Sequence, residues 1–145
     1  MVRCTVALLV LAMALAGCAH PRPTDATAVA APACLAPSEP GSEIDLYFGR
    51  DKPGGEVSEA EWLDFLDQVV VPAFPDGLTA LDAAGRWLDR DVGHTISERS
   101  KVVVLFVFDR AAAEPAIAAI AAAYRQRFQQ QSVLTVERPA CIAFR

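Results

Sequence analysis

The side chains best suited to chemistry in this chain are Glu98 and His94 as proton carriers and Arg99 as a stabiliser of developing negative charge. Around them the sequence supplies Tyr47, Arg50, Lys52, Trp87, Lys101, Arg125 and Arg127. Guanidinium forks and the amino end of a helix suit an anionic or carboxylate ligand, and Tyr47 and Trp87 suit its apolar part. The competing reading is a self-neutralised surface, because Asp51, Glu56, Glu59, Asp89 and Asp91 fall in the same stretches. A solitary exposed histidine such as His94 is more often a bystander than a general base. The sequence contains no G-x-S-x-G elbow, no H-E-x-x-H zinc helix and no paired C-x-x-C. The loop 49–55 also lacks the G-K-[ST] that cradles phosphate and magnesium. Neither a metal site nor a cofactor is expected.

For these residues to meet, the chain must bring several elements to one end. Residues 43–49 alternate Ile44, Leu46 and Phe48 against Asp45 and Tyr47, the period of a strand with one strongly apolar face. Ser58 and Glu61 form a capping box, Val57 and Trp62 a hydrophobic staple, and Trp62, Phe65, Leu66, Val69 and Val70 one helical stripe that runs to Pro72. After the Pro75-Asp76-Gly77 turn, residues 78–88 read as an extended segment with a bulge near Ala84-Gly85. Residues 89–97 read as a long hairpin tip, and residues 99–108 as a central strand apolar on both faces. Glu114 and Pro115 open a second helix carrying Ile117, Ile120, Tyr124 and Phe128; residues 132–136 return to strand, and residues 141–144 extend it past Pro139.

The order β-α-β-β-α-β predicts an α+β fold of the ferredoxin-like, split βαβ kind, with an antiparallel sheet in the order 4-1-3-2. That topology gathers Tyr47, Arg50, Trp87, Glu98, Arg99, Lys101 and Arg127 at one end as a ligand-binding site. It also sets the end of the last strand near the start of the first, so Cys141 approaches Cys34 and a disulfide follows; the alternative is two unpaired thiols.

The amino terminus concerns delivery. Arg3, the apolar run 6–16 and the small residues before Cys18 have the layout of a secretory signal peptide. Leu15-Ala16-Gly17-Cys18 resembles the lipobox of bacterial lipoproteins, which implies cleavage before Cys18 and acylation of its sulfur. Ordinary secretion is the alternative, since Ala14-Leu15-Ala16 is itself a cleavage signal. Lipidation leaves Cys34 and Cys141 as an even pair in an oxidising compartment. Residues 1–17 are therefore read as the signal peptide, residues 18–42 as the lipidated cysteine with an Ala/Pro-rich tether, and residues 43–145 as the folded domain. Ala19 stands where inner-membrane retention signals place Asp, so the resemblance implies the periplasmic face of the outer membrane.

The segments LYFGR (46–50), VSEAEWLDFLD (57–67), FPDGLTALDAAGRW (74–87), SERSKVVVL (97–105), AYRQRFQQQSVL (123–134) and PAC (139–141) together resemble domain-of-unknown-function family 3574, small bacterial envelope proteins. The resemblance implies compartment and domain identity, not a reaction. This chain departs from it at Pro72-Ala73, where relatives carry Pro-Arg, and at Gly85-Arg86-Trp87, where they carry Gly-Gln-Trp.

The chain has 145 residues, with 13 Lys and Arg against 18 Asp and Glu; the length suits one domain, and the acidic balance argues against a nucleic acid partner. Val102, Val104, Phe106 and Phe108 lie opposite Val103, Leu105 and Val107 on a single strand, so something should cover the sheet's second face. A homodimer, an envelope protein partner, the tether or a small molecule could do so. Two functions follow as expectations. The first is a noncatalytic lipid-anchored module for binding or interaction. The second is a small cofactor-independent enzyme using the sheet cleft.

Overall fold

The alternation along residues 44–48 does build a strand, and it begins earlier than the sequence pattern implies. The computed structural model describes residues 33–90 and 93–145. Strand β1 spans Glu39–Gly49, starting inside the stretch read as tether, because Glu39 and Pro40 already pair with Ile142 and Cys141. The segment read as a signal peptide, Cys18, Ala19 and most of the stretch read as a tether lie outside the described residues.

A ribbon follows: β2 (Asp51–Lys52) and β3 (Gly55–Glu56) fold back on each other where a loop was expected. Gly54 and Gly55 turn it at φ 84° and 145°, values that side-chain-bearing residues rarely adopt. Ser58 then caps α1 (Glu59–Phe65): its hydroxyl accepts the Glu61 N–H, and the Glu61 carboxylate accepts the Ser58 N–H at 2.8 Å. Such a cap stabilises a helix by about 1 kcal/mol. The helical run continues through a π turn (Leu66–Val70) into α2 (Val71–Ala73).

Strand β4 (Thr79–Asp89) and β5 (His94–Val107) form a hairpin with uninterrupted register, Gly85 directly opposite Glu98. The expected bulge at Ala84-Gly85 is therefore absent, and residues 94–97, expected in the hairpin tip, belong to β5, since β-pairing carries on to Asp89 and His94. Helix α3 (Arg110–Phe128) starts four residues before Glu114: Asp109 caps it by accepting the Ala112 N–H at 3.0 Å, and Pro115 lies inside. Strand β6 (Leu134–Ile142) runs through Pro139, which an edge strand tolerates because its outer N–H groups need no partner.

The long strands form one antiparallel sheet in the order β4-β5-β1-β6, separate from the β2-β3 ribbon, in a mixed α+β architecture. Alternation sends Ile44, Leu46 and Phe48 of β1, with Val103 and Leu105 of β5, under the helices, all fully buried. Aromatic rings fill the centre: Tyr124 lies 4.7 Å from Phe48 and 5.0 Å from Phe65, edge-on, contacts worth about 0.5–1.5 kcal/mol each beyond burial. Cys34 and Cys141 are disulfide-bonded with Cα atoms 5.5 Å apart, as the antiparallel placement of β6 beside β1 demands. Among the described residues no helix is long and apolar enough to cross a membrane.

Candidate active site

Because side chains alternate between sheet faces, the strand register defines the face away from the helices row by row. Leu81, Val102, Tyr47 and Leu134 form one row across β4, β5, β1 and β6. The next row holds Ala83, Ser100 and Gly49, the next Gly85 and Glu98, and the last Trp87 and Ile96. Small residues at Gly49, Gly85 and Ser100 leave a depression, while Tyr47, Trp87 and Leu134 stand around it. The result is a groove of about 800 Å³, whose far wall is the segment after α3. Gln129 ends that helix in a left-handed conformation and swings residues 129–132 over the groove.

Glu98 is the carboxylate of this groove. Its Oε1 accepts the Asp51 N–H at 3.1 Å, and its carboxyl group occupies the space that a side chain on Gly49 would fill. From beneath the sheet, the Tyr124 hydroxyl donates to the Gly49 carbonyl at 2.8 Å, and the Gln130 amide donates to the Asp51 carbonyl. The backbone that positions Glu98 is thus tied once to α3 and once to the segment that follows it. Burial pushes the Tyr124 phenol up, so it is a structural donor and not a proton carrier. The bond from Asp51 leaves Glu98 Oε2 able to accept a further hydrogen bond, in a groove that an indole (Trp87) and a phenol (Tyr47) also line, groups that can face a flat ring or a cation.

Three of the seven expected site residues converge here: Tyr47, Trp87 and Glu98. The other four do not. Arg50 is buried on the helix side, where Nε and NH2 donate to the Val57 carbonyl at 2.8 and 2.5 Å and the guanidinium meets Glu56 at 3.1 Å and Glu59 at 3.4 Å. Lys101, directly opposite Phe48, is buried there too, on Glu59 at 2.8 Å and Asp82 at 2.7 Å. Burial opposes its charge, but hydrogen bonds to Asp82 and Glu59 outweigh it and raise its pKa. Arg99 is mostly exposed near Glu56 at 3.5 Å, and Arg127 is paired with Asp64. These cations are held by the chain's own carboxylates: Arg50, Arg99 and Lys101 around the start of α1, and Arg127 at its last turn, so the expected anion site is corrected to self-paired cations.

The same geometry corrects two roles. Arg99 belongs to the opposite parity of β5 from Glu98, so it cannot stabilise charge in the groove, and His94 sits exposed opposite Asp89, outside the groove lining. Gly49, Gly85, Ser100 and Gln130 also line the groove and are not among the expected site residues; strand parity, which sets Gly49, Gly85 and Ser100 on the face of Tyr47 and Glu98, was the signal for the first three. Among the described residues no three His, Cys, Asp or Glu side chains cluster as a metal would require.

No curated protein matches the chain in sequence. Among solved structures it resembles a phage SAM lyase in complex with S-methyl-5'-thioadenosine, at 13% identity and a TM-score of 0.55 over 72% of this chain and 90% of that one. It also resembles a phage SAM lyase in the apo state, at 12% identity and a TM-score of 0.53 over the same shares. This is a likeness of fold. It runs against the expectation of a noncatalytic binding or interaction module, since both neighbours of this fold are enzymes. The family model for proteins of unknown function DUF3574 matches residues 43–144, and the chain belongs to that family.

Proposed function

We propose that the chain is a small enzyme, independent of any cofactor, that works in the sheet-face groove with Glu98 as its proton-transferring group. One observation carries this reading: a carboxylate fixed by the Asp51 N–H stands over Gly49, in a groove lined also by Tyr47 and Trp87. Such a group contributes about 10²–10⁴ in rate when positioned against a reacting proton. The substrate class is an adenosyl sulfonium, supported by the neighbour's being a SAM lyase that holds the thioether S-methyl-5'-thioadenosine, and by the groove's own chemistry. Aromatic faces and a carboxylate attract a sulfonium cation, at about 0.5–2 kcal/mol for each ring contact.

The reaction that suits these groups is elimination. Glu98 takes a proton from the carbon one removed from the carbon–sulfur bond; the electrons of that C–H bond form a carbon–carbon double bond, and the carbon–sulfur pair leaves on sulfur as a neutral thioether. The sulfonium supplies its own leaving group, so no electron carrier enters the balance. Isothermal titration of the full chain, in mild detergent, with S-methyl-5'-thioadenosine tests the site: the wild type binds, and Trp87→Ala weakens binding about tenfold, equivalent to about 1.4 kcal/mol. No binding by the wild type, or equal binding by both, sinks it.

We read the fold as ferredoxin-like: with the ribbon set aside, the long strands and the two helical stretches alternate β-α-β-β-α-β, and the first and third long strands lie at the sheet's centre. We also infer that the chain is a lipoprotein of the bacterial envelope, anchored through Cys18 at the periplasmic face of the outer membrane. The lipobox-like Leu15-Ala16-Gly17-Cys18 supports this, and so does the Cys34–Cys141 disulfide, which belongs in an oxidising compartment. Mass spectrometry of the mature chain tests it; an unmodified Cys18 overturns the anchor and leaves the groove reading intact.

A further inference from the structure

We propose that Tyr124, a core residue of α3, is a positioning residue for Glu98 and acts through the single peptide unit that joins Gly49 to Arg50. The proposal rests on the reading of Glu98 as the proton-transferring group and adds the part of the fold that holds it in place. Pairing of β1 with β6 ends at Tyr47 opposite Leu134, whereas its pairing with β5 continues to Gly49 opposite Ser100. Past Tyr47, side chains take over hydrogen bonds that a neighbouring strand would make. The Tyr124 hydroxyl donates to the Gly49 carbonyl at 2.8 Å, the Gln130 amide donates to the Asp51 carbonyl, and Glu98 Oε1 accepts the Asp51 N–H at 3.1 Å.

The bond from Tyr124 has the longest reach of the three. The Gly49 carbonyl and the Arg50 N–H belong to one planar peptide unit. That unit is held from both sides: Tyr124 donates to its oxygen, and its N–H donates to the Arg99 carbonyl at 3.0 Å. The next residue, Asp51, supplies the N–H that holds Glu98, and Glu98 itself directly precedes Arg99. One clamped peptide therefore sets the donor and the acceptor of the Asp51–Glu98 bond relative to each other. The Tyr124 ring is locked in turn, fully buried with Phe48 at 4.7 Å, Phe65 at 5.0 Å and Phe128 at 4.8 Å. Burial pushes its phenol up, so the hydroxyl keeps its proton and remains a donor. Removing the hydroxyl alone frees the peptide to turn and lets Asp51 and the carboxylate drift apart, while the groove walls at Tyr47 and Trp87 keep their place. A misplacement of about 1 Å at a reacting group costs about 10²-fold in rate.

Two measurements on the full chain in mild detergent test this, comparing Tyr124→Phe with the wild type and with Ile117→Val, a buried change on the same helix outside the groove lining. The first needs no substrate. Followed by NMR from acid to neutral pH, the Asp51 amide proton should shift as the Glu98 carboxyl ionises, and the shift should vanish in Glu98→Gln. In Tyr124→Phe its amplitude should fall below about half, because a hydrogen bond weakens steeply as its length and angle degrade. An amplitude equal to the wild type, a loss that Ile117→Val shares, or a shift that persists in Glu98→Gln overturns the proposal. The second follows turnover of S-adenosyl-L-methionine. In Tyr124→Phe kcat should fall about 10- to 100-fold with KM held within about twofold, and Ile117→Val should keep both. An unchanged kcat, or a loss confined to KM, overturns the proposal. A wild type with no turnover overturns the catalytic reading of Glu98, and the amide titration then decides by itself whether Tyr124 places the carboxylate.

Discussion

The carboxylate of Glu98 occupies the volume that a Cβ on Gly49 would fill, with the Asp51 N–H holding Oε1 at 3.1 Å. This relationship across neighbouring strands makes a glycine on β1 a condition for the carboxylate on β5. Gly49→Ala should therefore displace Glu98 from the groove. Because the obstructed group is the end of a flexible side chain, the stability loss should be small for an overpacking change, about 1 kcal/mol. Activity should fall nearly as far as in Glu98→Gln. Denaturant unfolding and turnover, measured on the same preparation, check the pair of outcomes.

Arg50 should behave in the opposite way. Its guanidinium satisfies the buried Val57 carbonyl and pairs with Glu56 and Glu59, on the face away from the groove. Arg50→Met should cost about 2–4 kcal/mol in stability, because it leaves a carbonyl and nearby carboxylates without their donor. The folded variant should retain its affinity for S-methyl-5'-thioadenosine. A weakened affinity in fully folded protein would return Arg50 to the site.

Acid should loosen the start of α1. The Lys52 ammonium at 2.5 Å, followed by the Ser58 N–H and hydroxyl, holds the Glu61 carboxyl down at about 2, below its ordinary value of 4.5. A carboxyl whose pKa is lower in the folded state contributes stability that is fully present above about pH 4.5 and is lost as pH falls towards 2. The denaturant midpoint of the wild type should drop across that window. Glu61→Gln should start lower at neutral pH and drop less, as a pH series of unfolding curves would reveal.

The disulfide should act mainly on the unfolded chain. Cys34 and Cys141 are 107 residues apart, and closing a loop of that order stabilises by up to about 4.7 kcal/mol in the chain-entropy account. Cys34→Ser/Cys141→Ser should lose about 2–5 kcal/mol, seen as a lower thermal midpoint with an unchanged far-UV spectrum. Reduction of the wild type should reproduce the shift, while the double variant should not respond to reductant.

Much of this architecture was legible in local patterns. The Ser58/Glu61 capping box, the Trp62 and Phe65 stripe and the Ile44, Leu46, Phe48 alternation each encode one element through contacts a few residues apart. The Cys34–Cys141 pairing was legible because one topological step fixes it. The groove lining was partly legible. Tyr47, Trp87 and Glu98 do line one groove, but Arg50 and Lys101 were grouped with them although strand parity sends their side chains through the sheet. Period-two alternation excludes Arg50 from the face of Tyr47 and Lys101 from that of Glu98. The groove floor was less visible, because Gly49, Gly85 and Ser100 matter for the bulk they lack, and only the β4-β5-β1 register aligns them. The β2-β3 ribbon and the left-handed turn at Gln129 were hidden for a related reason: each depends on backbone conformation at one or two positions, with no hydrophobic period to announce it.

The central claim, that the groove around Glu98 is catalytic, is tested most directly by incubating the full chain with S-adenosyl-L-methionine and following S-methyl-5'-thioadenosine by chromatography. The account predicts enzyme-dependent accumulation that falls about 10²–10⁴-fold in Glu98→Gln while the variant stays folded. Product formation by Glu98→Gln at the wild-type rate, or none by the wild type above the uncatalysed background, would contradict it.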